Sequence, residues 1–305
     1  MLIVRFSGGL GNQIFQYMFY RYIQQLFPRV KVKADISNYE EDNIHNGFEI
    51  SNIFRINKLT TANNFDILKV KAYIPYNYKY IGKKFVNRII AIINKRLKRK
   101  PHQFITKLTI NEWEKSFKQN EKNDYYFDGC YWQYPRFFET FYEIVLKELK
   151  FKQPLDITNS KIADEISNCN SVSIHIRKGD YIGNSYDILT EKYYLNAIEI
   201  LKSKTKCDKF YIFSDDSEFS NHFFKDLPDK IIICHNKNKD SYKDMQLMSL
   251  CKNNIIANSS FSTCAALLNA NKEKIVIYPD KLSTETALGS MPIFSDKRWI
   301  QITAH

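Results

Sequence analysis

From residue 171 onward the chain alternates short β-prone runs with amphipathic stretches, and this leaves few folds open. "SVSIHI" (171–176), "KFYIFSDD" (209–216), "KIIIC" (230–234), "NIIAN" (254–258) and "KIVIYP" (274–279) have strand composition. "YYLNAIEILKSK" (193–204), "SYKDMQLMSLC" (241–251) and "SSFSTCAALLNA" (259–270) have helical periodicity. Strands that alternate with helices predict a parallel sheet covered on both faces. Such sheets bind ligands beyond the carboxyl ends of their strands. Those ends carry "RKGDY" (177–181), "SDD" (214–216) and "NSSFS" (258–262).

The first half opens in a similar way. Leu2–Phe6 is an apolar strand candidate, and a helix is expected over Ile14–Phe27. Three of the nine glycines, Gly8, Gly9 and Gly11, lie between them, followed by Asn12 and Gln13. Glycine there permits positive φ and close approach of a ligand to the backbone. The helix N-terminus beyond it suits a phosphate or a polar sugar. A tight turn with no ligand explains the same residues. Val30–Ala34 reads as a second strand, ending in Asp35. A nicotinamide or flavin fingerprint fails, because Ile14 stands where the third glycine belongs. "FKQPLDITNS" (151–160) is the best boundary, giving domains 1–153 and 154–305.

The length and the 44% hydrophobic content fit a globular chain with a sizeable core. Most of the 20 Tyr and 22 Phe are expected in that core. The six cysteines form no C-x-x-C and no zinc spacing, so buried reduced thiols are expected. No signal peptide or apolar run of membrane-spanning length is visible, which points to a cytoplasmic protein. Of the net +12, residues 1–150 carry 25 basic against 14 acidic residues, and residues 151–305 carry 20 against 19. The densest stretch, "KKFVNRIIAIINKRLKRK" (83–100), has eight basic residues and no acid. It reads either as a basic amphipathic helix on the inner face of an anionic membrane or as a helix packed on its own domain. No nucleic-acid recognition module accompanies the charge.

In "HIRKGDY", His175 and Arg177 alternate with Ile174 and Ile176 and share one face of a strand end. An arginine there can grip a phosphate with a planar fork, or simply pair with Asp180. Asp215 and Asp216 could ligate a metal, but Asp216 or Ser217 could equally cap a helix. No D-x-D holder for Mg²⁺ or Mn²⁺ is present. Ser260 and Ser262 could cap a helix or hold phosphate oxygens.

"GGLGNQIFQY", "HIRKGDY", "FSDD" and "KDMQLMSLCKNNIIANSSFSTCAALL", in this order, resemble the bacterial α-1,2-fucosyltransferases of glycosyltransferase family 11. The likeness runs from residue 1 to about residue 280 and is weakest over 40–125. It implies a GT-B-like α/β fold, with two Rossmann-like domains facing across a cleft. It also implies inverting transfer of fucose from GDP-fucose to the 2-hydroxyl of a galactose-containing acceptor, as in O-antigen or surface glycan synthesis. By the same resemblance, Arg177 corresponds to the arginine on the β-phosphate, with His175 beside it. Asp244 corresponds to the acid that reads guanine. Ser260, Phe261 and Ser262 correspond to the ribose and phosphate loop, and Asp215 and Asp216 to a nucleotide-side acidic pair. Asn12 corresponds to an asparagine facing the reacting centre, with Gly9 and Gly11 lining the donor and Asn12 and Gln13 offering side chains to the cleft. Thr263 and Cys264 depart from the family, where many relatives have tryptophan. Asp35 is a candidate general base, although a base is unnecessary if bond breaking precedes attack. The resemblance implies no cofactor and no metal. Another fucosyl linkage, a non-catalytic carbohydrate- or nucleotide-binding protein, and a nucleotide-dependent oxidoreductase are the competing readings.

Overall fold

The structure is a computed structural model. It describes residues 1–40, 45–56, 59–71, 92, 103–105, 124–128, 132–133, 137, 139, 142–285, 290–292, 294 and 296–305. The expected basic helix over 83–100 lies outside the described residues, Ile92 excepted. The chain forms two compact units. One comprises Met1–Ser51 and Ile56–Val145, the other Asn52–Arg55 and Leu146–His305.

The first unit contains β1 (Leu2–Arg5), α1 (Leu10–Leu26), β2 (Val32–Asp35), the first half of α2 (Ile50–Ile53), α3 (Asn64–Lys71), β3 (Gln103–Ile105), β4 (Tyr125–Phe127) and the start of α4 (Tyr142–Glu148). Its four strands are parallel, in the order β2-β1-β4-β3. The chain moves outward from β1 to β2 and later returns to β1's other side with β4. The glycine turn follows β1 at that reversal. The core beneath it is aromatic, as the composition suggests: Phe19 stacks on Trp132 at 4.2 Å and meets Phe127 edge-on at 5.2 Å.

The second unit contains α5 (Ile157–Ser167), β5 (Ser171–Ile176), α6 (Glu191–Lys204), β6 (Lys209–Ser214), α7 (Ser217–Phe223), β7 (Lys230–Ile233), α8 (Tyr242–Leu250), β8 (Asn253–Ile255), α9 (Ser260–Leu268), β9 (Val276–Pro279) and β10 (Trp299–Ile302). All six strands are parallel, in the order β10-β9-β8-β5-β6-β7. Every residue of β5 is buried, as expected of a strand covered on both faces. Val172, Ile174, Tyr193, Tyr194, Phe210 and Ile212 are among the side chains filling the core. The chain runs β5-β6-β7 in one direction and then returns to β5's other side with β8. The gap between β5 and β8 is therefore a topological switch point, where adjacent loops diverge and leave a crevice. Cys169, Cys207, Cys234, Cys251 and Cys264 are free thiols. No helix among the described residues is long and apolar enough to cross a membrane.

Gln13, with Gln16 on Ser7 and the Tyr39 hydroxyl on Gly8, holds the glycine turn. Gln13 is fully buried. Its Nε2 donates to the carbonyls of Gly8 (3.1 Å) and Gly47 (2.8 Å). Its Oε1 accepts from the N–H groups of Glu49 (2.9 Å) and Ile50 (3.1 Å). Gln13 therefore staples two backbone segments and does not offer its side chain to a ligand, contrary to the sequence expectation. Gln13→Leu keeps roughly the volume but takes this partner from two buried N–H groups and two part-buried carbonyls. It should destabilise the protein by more than about 2 kcal/mol, checked by chemical denaturation.

Candidate functional site

The carboxyl edge of the second sheet gathers most of the expected residues. Arg177 follows β5 directly. Its Nε lies 2.7 Å from Asp180 Oδ1 and its Nη1 3.2 Å from Asp215 Oδ2. The Tyr181 ring sits 5.8 Å from the guanidinium carbon. Two carboxylates and a ring thus fix the fork, while Nη2 has no partner among the described residues and can bind an anion. Asp215 also accepts the Lys178 N–H at 2.8 Å. A Cβ on residue 179 would stand 3.0 Å from Asp215 Oδ2, so Gly179 is what lets this turn pass the carboxylate.

His175 lies on the same strand end. It is 6% exposed, its Nδ1 has no partner, and its ring centroid is 5.8 Å from that of Phe261. Burial, helped by the nearby Arg177 charge, pushes its pKa down to about 3, so the imidazole is neutral at physiological pH. Tyr181 completes the wall. Its hydroxyl meets the Asn258 carbonyl at 3.5 Å, and burial raises its pKa to about 12.

Across the switch point, α9 begins with Ser259 as its cap. The Ser259 hydroxyl accepts the Phe261 N–H at 3.3 Å. Asn258 is buried and anchors the loop by donating to the carbonyls of Tyr186 (2.9 Å) and Leu282 (2.8 Å). Ser260 and Phe261 are partly exposed at the first turn. Ser262 is fully buried, and its hydroxyl donates to the Ser259 carbonyl. The expected donor loop is therefore Ser260 and Phe261, with the Ser262 side chain turned inward. Asp216 likewise differs from Asp215. It caps α7 by accepting the Phe219 N–H at 2.9 Å.

The N-termini of α5, α8 and α9 open toward this same edge, and α8 packs against both α5 and α9. Their positive ends suit an anionic ligand. Asp244 lies in the first turn of α8, where one carboxylate oxygen accepts the Asn236 side-chain N–H at 2.7 Å. Its second oxygen has no partner. Burial raises this acid to about 7, opposed by the Asn236 bond. Asn236 joins a buried network that its local sequence does not signal, because its other partner is Asn159, 77 residues away.

In the first unit the expected residues separate. Gly8 takes φ +76°, the left-handed conformation the turn requires. Gly9 is extended, and the nearest group to its α-carbon face is the His45 imidazole, 3.5 Å from where a Cβ would stand. Gly11 is buried inside α1. Gly11 is thus enclosed by the helix, whereas Gly9 is partly exposed with His45 beside its α-carbon. Asn12 is partly exposed in the first turn, and its side chain makes no hydrogen bond among the described residues. Asp35, expected as a base, is 1% exposed. One of its oxygens accepts from the N–H and hydroxyl of Ser37 and the other from the Tyr126 hydroxyl. It is an anchor at the end of β2, not a base. Glu49, which the sequence analysis missed, is a buried carboxyl raised by its burial and stapled by Gln13 beside the glycine turn. Among the described residues, no three His, Cys, Asp or Glu side chains converge to hold a metal ion.

The family model "Glycosyl transferase family 11" matches residues 1–302. An "Alpha-1,2-colitosyltransferase" of Escherichia coli is 31% identical over 99% of each chain. The "O-antigen biosynthesis glycosyltransferase WbnK" of Escherichia coli is 29% identical over 90% of this chain and 92% of that one. The solved structure of fucosyltransferase NodZ from Bradyrhizobium superposes with TM-score 0.53 at 16% identity, over 88% of this chain and 91% of that one. With two parallel Rossmann-like units, the fold is GT-B-like.

A carboxylate raised by burial makes a testable demand on stability. The unfolded chain ionises Asp244 near the ordinary carboxylate value, while the folded chain resists until about 7. Stability therefore falls as pH rises through that window and levels above it. Asp244→Asn cannot ionise. Its melting temperature without ligand should exceed the parent's by a margin that grows from pH 5 to pH 7 and is constant above pH 8, measured by thermal unfolding.

Proposed function

The chain belongs to glycosyl transferase family 11, and from that premise we propose that it transfers fucose, with inversion, from GDP-fucose to the 2-hydroxyl of a galactose-containing acceptor in O-antigen or surface glycan assembly. The observation that carries the donor reading is Arg177. Its guanidinium is fixed on two edges by Asp180 and Asp215, with Nη2 free, beside the first turn of α9 at the switch point. A diphosphate placed there meets a fork of N–H donors and a helix N-terminus.

The chemistry follows from charge. As the C1–O bond breaks, positive charge develops on the sugar and negative charge on the β-phosphate. Arg177 and the N–H groups near Ser260 stabilise the departing diphosphate. The acceptor hydroxyl attacks C1 from the opposite face and the anomeric centre inverts. In this reading Arg177 supplies the charge stabilisation, so transfer persists in excess EDTA. His175 stays neutral and offers an N–H without adding charge. Asp244 accepts the N1–H and N2–H donors of guanine, and Asn12 faces the reacting centre. Gly9 lies partly exposed in that turn, where the donor can approach its backbone, and Gly11 supports it from within α1.

The colitosyl relative favours a second reading of the donor. Colitose is fucose without its 3-hydroxyl, so the same diphosphate and guanine contacts serve either sugar. The deciding experiment is incubation with GDP-fucose and with GDP-colitose, each against a panel of galactosides, followed by linkage analysis of the product. A 2-linked fucosyl product supports the first reading, a 2-linked colitosyl product the second, and no transfer from either donor overturns both. Arg177→Lys keeps the charge but loses the fork. It should weaken GDP binding about ten- to hundredfold, measured by calorimetry.

For residues 83–100 we propose peripheral contact with anionic membrane on the cytoplasmic side, from their eight basic residues and absence of acid. Changing Lys95, Arg96, Lys98 and Arg99 to Gln should abolish salt-sensitive binding to anionic vesicles while transfer to a soluble galactoside is unchanged.

A further inference from the structure

We propose that Asn236 is a positioning residue for the Asp244 carboxylate, locked in turn by Asn159, so that one oxygen of Asp244 is fixed and the other is presented to the purine of the donor. This rests on the reading of Asp244 as the guanine acceptor.

The hydrogen bonds have only one consistent direction. Asp156 pairs with Lys243 at 2.9 Å and caps α5 through the Asn159 N–H at 2.9 Å. These contacts hold its carboxyl well below the ordinary range, so it is ionised and can only accept. Asn159 must therefore turn Nδ2 toward Asp156, at 2.8 Å. That leaves Asn159 Oδ1 facing Asn236 Nδ2 at 2.9 Å, while the second Nδ2 hydrogen of Asn159 returns to Asn236 Oδ1 at 2.9 Å. The reciprocal pair settles the Asn236 amide, whose other hydrogen then points at Asp244 Oδ1 at 2.7 Å. A donor fixed in place favours the ionised carboxylate and opposes the burial that would protonate it.

Asn159 is 1% exposed and Asn236 8%, so water competes little for these amides. The charged and titratable groups around them are His235 beyond β7, Lys243 on α8, Asp240 before α8, and Asp156 at the start of α5. His235 Nε2 lies 3.1 Å from Asn159 Oδ1 and must donate. Lys243 is held by Asp156 and Asp240 and stays protonated.

Only the ionised form of Asp244 accepts both guanine donors. The test is calorimetric titration of GDP, with ADP as control for the diphosphate, from pH 5.5 to 9. In the parent, the ratio of GDP to ADP affinity should rise with pH around a midpoint near 7 and then level. Asn236→Ala should move that midpoint alkaline by about one pH unit or more, costing GDP about fivefold or more at pH 7 and little at pH 9. Asn159→Ala, one amide further away, should shift it in the same direction by less. If either folded variant loses GDP affinity equally at every pH, or keeps the parent midpoint, the positioning role is overturned. If Asp244→Asn leaves the GDP to ADP ratio unchanged, the guanine reading itself fails, whatever the amide variants do.

Discussion

A parallel sheet cannot be built without crossovers, and each crossover returns the chain to the same starting edge. Strand carboxyl ends and helix N-termini therefore collect on one side of the sheet. In the second unit that edge carries Arg177, Asp215, Asp244 and Ser260, drawn from segments spread over more than eighty residues. The jump from β7 back past β5 to β8 opens the gap between the Arg177 loop and the Ser259–Phe261 turn. The same geometry recurs in the first unit, where the reversal beside β1 sets the glycine turn at its sheet's carboxyl edge.

The polar residues at these edges divide by whether their bonding is complete. Asp35, Gln13, Asn258 and Ser262 are buried and bonded to their own chain, and they shape the loops. Arg177, His175 and Asp244 each keep a polar atom without a protein partner. Of these, the His175 Nδ1 is fully buried, and a buried polar atom is costly unless a ligand completes it. The burial of His175 has a further effect, because a charged imidazole beside Arg177 would raise the local positive charge at low pH. The depressed pKa keeps the anion site's charge constant over the physiological range.

Much of the fold was legible because it rests on local patterns. The strand and helix runs after residue 170 show their periods directly, and the motif residues fall at the strand ends that the alternation specifies. The roles that were misread depend on distant partners. Nothing near Asp35 indicates that Tyr126 will bond it, and nothing near Gln13 indicates Gly47 and Glu49. In "NSSFS", the sequence shows hydroxyls but not that helix geometry turns Ser262 inward while leaving Ser260 outward. Asn236 was invisible for the same reason, since a polar loop residue shows its importance only when its amide neighbour is known.

The Gln13 staple has a consequence for how the protein is made. Its carbonyl oxygen is satisfied by residues 36 and 37 positions further along the chain. During synthesis, α1 emerges from the ribosome before those residues do, so the helix can form while the turn that precedes it still lacks these partners. The glycine turn is thus a late product of folding, reached only after a loop closure that local propensity cannot hasten.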